Sequence, residues 1–180
     1  ALRQTNSGLA FAFFNEPLVT IDSLWPLGGP TGGGTRVVVR GSGFVDHGGV
    51  FCRFGTASTP SSVVPALLRS EAELVCVSAN VSAGGVVRVA LTLNGDRAAF
   101  IESNASFEYY DPKSLRVSGV LPVAGPAAGG SLLSVSGAGF ALLGPVRCNF
   151  GWPTQTVNAT VVNSSLVLCV TPFISGPEWL

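Results

Sequence analysis

Four cysteines, one histidine and four asparagines in the pattern Asn-x-Ser/Thr are the residues whose types and spacing could carry chemistry in this chain. Cys52, Cys76, Cys148 and Cys169 allow three disulfide pairings. Zinc would need clustered ligands, but the cysteines are widely spaced and His47 is the only histidine. A thiol nucleophile would need a neighbouring base, and no carboxylate stands at a spacing that offers one. Asp22, Asp46, Asp96 and Asp111 are isolated in sequence, with no arrangement that marks a general acid and base. Asp46 and Asp111 are expected to serve turns. The remaining chemistry is modification. Asn80, Asn104, Asn158 and Asn163 each head an N-glycosylation acceptor triplet. Asn80, Asn104 and Asn163 fall in turn-like stretches, whereas Asn158 lies in the alternating run "QTVNATVV". No catalytic residue, metal site or cofactor is assigned.

The cysteines sit inside a duplicated phrase. "GFVDHGGVFCRFG" runs from Gly43 to Gly55, and "GFALLGPVRCNFG" from Gly139 to Gly151, a shift of 96 positions. The same shift carries Pro26, Gly29, Pro30, Gly33, Gly34 and Gly41 onto identical residues, and Phe13-Phe14 onto Tyr109-Tyr110. After a contraction of three residues, Cys76 meets Cys169. The chain is internally duplicated. Duplication selects the pairs Cys52–Cys76 and Cys148–Cys169, one per unit, because each unit must fold with its own staple. His47 has no histidine equivalent in the second copy, which further weakens a thiol–imidazole pair. The phase also divides the chain. Residues 1–16 read as the closing strand of an earlier repeat, 17–111 as one complete domain, and 112–180 as a second domain truncated at its C-terminal end. The first residue is not Met and no signal peptide precedes the repeats, so the chain reads as a piece of a longer protein. Junctions this short predict domains set end to end in a stiff rod.

A period near 95 residues suits a whole β-sandwich rather than a solenoid unit. In "TRVVVRG", Val37 and Val39 alternate with Arg36, Val38 and Arg40, and Leu133 and Val135 alternate likewise in the second copy. Period-two alternation marks a strand with one core face. In "VVRVALTLNG", Val87, Val89, Leu91 and Leu93 are predicted inward, Arg88 and Thr92 outward, with Asn94-Gly95 as a tight hairpin turn. Phe107 and Tyr109 share one face of the closing strand. No window has helical periodicity. "SSVVPALLRSEAEL" comes nearest, but Pro65 interrupts it, and one short turn is the most expected there. "GGPTGGGT" leads into a strand and lacks the Lys-Ser/Thr of a phosphate loop, so it reads as a turn. The phrase itself reads as a folding signature. "G-x-G-F" ends a strand with Phe44 or Phe140 closing the core, and "C-x-F-G" anchors the next strand.

Only 11% of the residues are charged, acids and bases cancel, and nine of the ten basic residues are Arg. Nucleic acid and anionic membrane surfaces are therefore not expected as main partners. Apolar runs such as Leu9 to Phe14 are far shorter than the ~18 residues that cross a bilayer. A surface this poor in charge is expected to be covered by glycans, by neighbouring chains, or by both.

Taken together, "P-x-x-G-G" before a strand, "G-x-G-F", "C-x-F-G", a second cysteine, "x-x-N-G" and a closing "F-x-Y-Y" resemble the IPT/TIG family of immunoglobulin-like domains. The resemblance spans essentially the whole chain, twice. It implies an all-β fold of tandem immunoglobulin-like (early-set) β-sandwiches with one disulfide per domain. Ser78-Ala79 departs from the Ser/Thr-Pro that usually follows the second cysteine and that Thr171-Pro172 keeps. The family occurs in plexins and related receptors, in ciliary surface proteins, in Rel-type transcription factors and in starch-acting enzymes. Paired cysteines and sequons point to an extracellular route. The expected role is a non-catalytic spacer, adhesion or assembly segment of a cell-surface glycoprotein. By resemblance only, the surface of a cilium or a cell coat is its setting. Its expected partners are other chains or further copies of itself, with N-linked glycans attached and membrane contact only through parts outside this fragment. The alternative is a carbohydrate-binding accessory module of a secreted enzyme, which would use Trp25, Trp152 and Trp179 as stacking platforms. The DNA-binding branch would need basic loops, and none is present.

Overall fold

The computed structural model describes residue 11 and residues 13–55, 62–151 and 154–174. Most of the segment read as an earlier repeat's closing strand therefore lies outside the described residues. The fold is all-β, with no helix beyond two short 3-10 turns, Glu16–Leu18 and Pro112–Ser114, among the described residues. The first unit contains β1 (Thr20–Trp25), β2 (Gly28–Pro30), β3 (Arg36–Ser42), β4 (Phe51–Phe54), β5 (Ser62–Ser70), β6 (Glu73–Val77), β7 (Gly85–Thr92) and β8 (Ser106–Tyr110). Their hydrogen-bonded order is β1-β3-β6-β5-β4-β7-β8-β2. β5 turns this run into two layers. Its first half pairs with β4 from Ser62 to Pro65, and its second half pairs with β6 from Ala66 onward. Pro65 stands at the changeover, where a residue without an N–H costs the ladders least. The region allowed only a short turn is thus a nine-residue strand. The turn itself falls at Glu71-Ala72.

Between the layers lies the core of Val37, Val39, Phe44, Leu74, Val89, Leu91 and Phe107, all fully buried. Leu93 and Tyr109 join it, as the alternation predicts. Thr92 is a correction. It was expected to face out, and it is 2% exposed, as Ala90 and Arg53 beside it are also buried. These residues point away from the core but are covered by the segment that follows β7. Arg53 stacks over the Phe100 ring at 4.5 Å and pairs with Glu102, and Ile101 forms a bridge with Leu91. The Asn94-Gly95 hairpin is corrected for the same reason. Only Gly95 has positive φ there, and it donates its N–H to the Gly49 carbonyl at 2.8 Å. β8 does not begin until Ser106. A type I′ turn needs both central residues left-handed. Here the pair ties to the 48–49 loop instead.

The second unit contains β9 (Arg116–Leu121), β10 (Leu132–Ala138), β11 (Arg147–Phe150), β12 (Gln155–Asn163) and β13 (Leu166–Val170), ordered β11-β12-β13-β10-β9. β9, β10 and β11 repeat the bounds of β1, β3 and β4 at the 96-residue shift, while β12 and β13 repeat β5 and β6 after the three-residue contraction. The two 3-10 turns and the two cis prolines, Pro26 and Pro122, obey the same spacing.

Candidate functional site

The repeated residues are assembled the same way in both units, and each has a physical reason. Gly41 and Gly137 receive the Phe44 and Phe140 rings. A Cβ on either glycine would meet a ring carbon at 2.7 or 2.5 Å and a carbonyl of the neighbouring strand at about the same place in both copies. Gly43 and Gly139 have φ of 71° and 78°, a region that side chains disfavour, and they turn the chain so that the Phe can point inward. The Phe44 and Phe140 amides then donate to the carbonyls of Glu71 and Ser164. The doubled phrase is a core-closing corner.

Cys52 on β4 is bonded to Cys76 on β6, and Cys148 on β11 to Cys169 on β13, with Cα atoms 6.3 and 6.4 Å apart. Each bond joins the two strands that flank the crossing strand, β5 or β12. Sequence separations of 24 and 21 give ~3 kcal/mol each in the chain-entropy account. The departure at Ser78-Ala79 leaves this framework intact. The Ser78 hydroxyl accepts from the Thr35 amide at 3.0 Å, just as the Thr171 hydroxyl accepts from the Ser131 amide at 3.0 Å. The hydroxyl is what the position requires.

Among the described residues no such convergence exists between the charged groups. Asp46 accepts from the Gly48 and Gly49 amides, which hold its carboxyl below its ordinary range, with a smaller contribution from His47. Asp111 accepts from Lys113 N and Asp96 from Ala98 N. These carboxylates serve turns. Burial pushes the Tyr109 phenol up, away from proton transfer near neutral pH. Among the described residues no cluster of three or more His, Cys, Asp or Glu could hold a metal, and no helix is long and apolar enough to cross a membrane.

Asn80, Asn104, Asn158 and Asn163 are all exposed. Asn158 lies within β12, Asn163 ends it, and Asn80 and Asn104 lie outside the strands. Trp25 is 47% exposed on β1, while Trp152 and Trp179 lie outside the described residues. An apolar trough of about 1030 Å³ lies in the second unit, lined by Leu133, Val135, Phe140, Cys148, Phe150 and others. In the first unit the corresponding face is covered by β7 and β8. The trough opens between the strands of the second unit's sheet, where Phe140 and the Cys148 strand face Val135 and Val167.

Both halves of the chain, residues 19–109 and 115–178, match the IPT/TIG domain. The chain belongs to the IPT/TIG domain family. Human Plexin-B1 is 33% identical over 123 residues, covering 68% of this chain and 6% of that protein. Mouse Plexin-A2 is 28% identical over 174 residues, covering 96% of this chain and 9% of that protein. This chain therefore spans less than a tenth of the length of these relatives. Its fold resembles a solved structure described as the Plexin A4 full extracellular region, with a TM-score of 0.62 and 21% identity over 89% of this chain and 13% of that one. The all-β, tandem immunoglobulin-like architecture expected for the IPT/TIG family is the one observed.

Proposed function

We propose that this chain is a structural and interaction segment of a multi-repeat extracellular cell-surface glycoprotein, with its repeats serving as spacer, adhesion or assembly elements and not as a catalyst. One observation carries this reading. Everything that recurs between the units is committed to folding, whereas no charged or polar cluster recurs. A repeated pocket would have to recur along with the fold that holds it.

Bonded cysteine pairs and four exposed sequons support an oxidising, secreted route. The plexin relatives, and the likeness to a solved structure of a plexin extracellular region, favour an extracellular segment. The ciliary setting rests on the family resemblance alone. On this reading residues 17–111 form a complete domain. The 112–180 domain takes its counterparts of β7 and β8 from further chain, and the trough is their seat. Partners are other chains or copies of itself at the cell surface, with glycans on Asn80, Asn104, Asn158 and Asn163, and membrane contact made by other parts of the protein.

The test is intact mass of the native protein, before and after enzymatic removal of N-glycans and with thiol alkylation. Hexose-bearing mass on several sequons with no alkylated cysteine is expected. An unmodified chain with four alkylated cysteines would overturn the extracellular reading.

A further inference from the structure

Where the second unit meets the first, the contact is made by the loop that follows "G-x-G-F". The Leu143 carbonyl accepts from the Leu27 and Gly28 amides at 2.5 and 3.2 Å. Gly28 opens β2, the outermost strand of the first unit, whose other edge is bonded to β8. An outermost strand leaves backbone amides without partners, and Leu143 supplies an acceptor for the first of them, Gly28, and for Leu27 just before it. The fit is close. A Cβ on Gly28 would stand 2.8 Å from Leu143 Cδ1, and a Cβ on Gly144 would stand 2.7 Å from Pro26 Cβ. Tyr110, the last residue of β8, lines the same crevice of about 530 Å³ as Leu143 and Gly144.

A second contact of the same kind occurs at the other end of the first unit. There the His47 ring stacks on Phe14, with centroids 4.8 Å apart and planes 8° from parallel. The shift of 96 that superimposes the two units carries His47 onto Leu143, Gly48 onto Gly144 and Phe14 onto Tyr110. One loop position therefore meets the preceding segment twice, His47 by stacking on Phe14, and Leu143 by its carbonyl and side chain against Leu27 and Gly28, in a crevice that Tyr110 also lines.

We propose that the loops 45–49 and 141–145 are docking elements that seat each repeat on the one before it. Their partner is the end of the preceding repeat, namely its closing strand and, where present, its β2 edge. His47 makes its contact through its ring, and Leu143 through its carbonyl together with its side chain, so the same loop position serves in both copies by different chemistry. Gly144 is retained for space, because any side chain there drives into Pro26. The inference deepens the spacer reading above, since seated repeats hold a set angle where freely jointed ones do not. Its test is independent of that reading, which is judged by glycans and thiols.

The test is hydrogen exchange followed by mass spectrometry on the full chain, comparing wild type with Gly144→Val. The peptide covering Leu27 to Pro30 is expected to exchange about tenfold faster in the variant, with peptides from β3 and β6 unchanged. Should the variant lose protection throughout β10 to β13, Leu143→Ala is used in its place, with a rise of roughly threefold expected. Equal exchange in wild type and the folded variant would overturn the proposal, as would unprotected Leu27 and Gly28 amides in wild type.

Discussion

Replacing Gly41 and Gly137 by alanine, one at a time, probes the core-closing corner in two different surroundings. A methyl on Gly41 would lie 1.8 Å from the Thr20 carbonyl oxygen and 2.7 Å from Phe44 Cζ. The first is backbone, which no rotamer change relieves, so β1 must part from β3 or the ring must withdraw. Phe44 is fully buried among strands of both layers. Overpacking alone costs about 1–3 kcal/mol, and losing a buried Phe from its seat costs about 3–5 kcal/mol. We expect Gly41→Ala to destabilise the first unit by about 3–5 kcal/mol, on the order of 15–30 °C in Tm for a unit of this size. Gly137 is equally crowded, with the Arg116 carbonyl oxygen at 2.0 Å and Phe140 Cζ at 2.5 Å. Phe140, however, is only partly buried and borders the trough, so its ring has room to move. Gly137→Ala should cost about 1–3 kcal/mol. Urea unfolding followed by circular dichroism, with hydrogen exchange assigning each transition to its unit, measures both. A cost below about 1 kcal/mol for Gly41→Ala, within the range of an ordinary surface change, would refute the account of the corner. So would a larger cost for Gly137→Ala in this 180-residue chain.

Glu102→Ala leaves the buried Arg53 guanidinium, among the described residues, with the Gly55 carbonyl and the Phe100 ring. Because the Glu102 side chain is 60% exposed, the expected loss in urea unfolding is discounted to about 1–2 kcal/mol. Ser78→Ala strands the Thr35 amide and should cost about 1–3 kcal/mol, whereas Ser78→Thr should be tolerated, both read as shifts in thermal midpoint. Asp46 has a folded pKa below its ordinary 3.8, so its contribution is fully present above about that pH and is lost as pH falls through the lower folded value. Amide exchange at Gly48 and Gly49 should therefore be faster in Asp46→Ala than in wild type at neutral pH. The two should converge as wild-type Asp46 protonates in acid, and a difference that persists unchanged there would count against the carboxylate.

The repeat, the strand alternation of Val37 and Val39, and the inward set of Val89, Leu91, Leu93, Phe107 and Tyr109 were legible because each is a local pattern. Period two follows from the pleat, and a glycine that must accept a ring or a positive φ recurs wherever the corner recurs. Contacts between segments far apart in sequence were not legible. Thr92 and Arg53 occupy outward positions by alternation, and they are buried because the chain after Asn94 runs back over them. Pro65 spoke against regular structure, yet it sits where β5 changes partners and the missing N–H is tolerated. Asn94-Gly95 spelled a hairpin, but the loop at Gly48-Gly49 offered its backbone a competing partner.

The sequence by itself determined that one all-β unit is written twice, and which glycines, phenylalanines and cysteines each copy must keep. Those requirements act within a strand or a turn, so they leave a periodic record. Only the tertiary structure decided what covers the outer face of β4 and β7, where β5 changes partners, and which loop meets the preceding unit. Those outcomes depend on the path of distant chain, and burial of an outward residue or a bare strand edge leaves no periodic mark in the residues that undergo it.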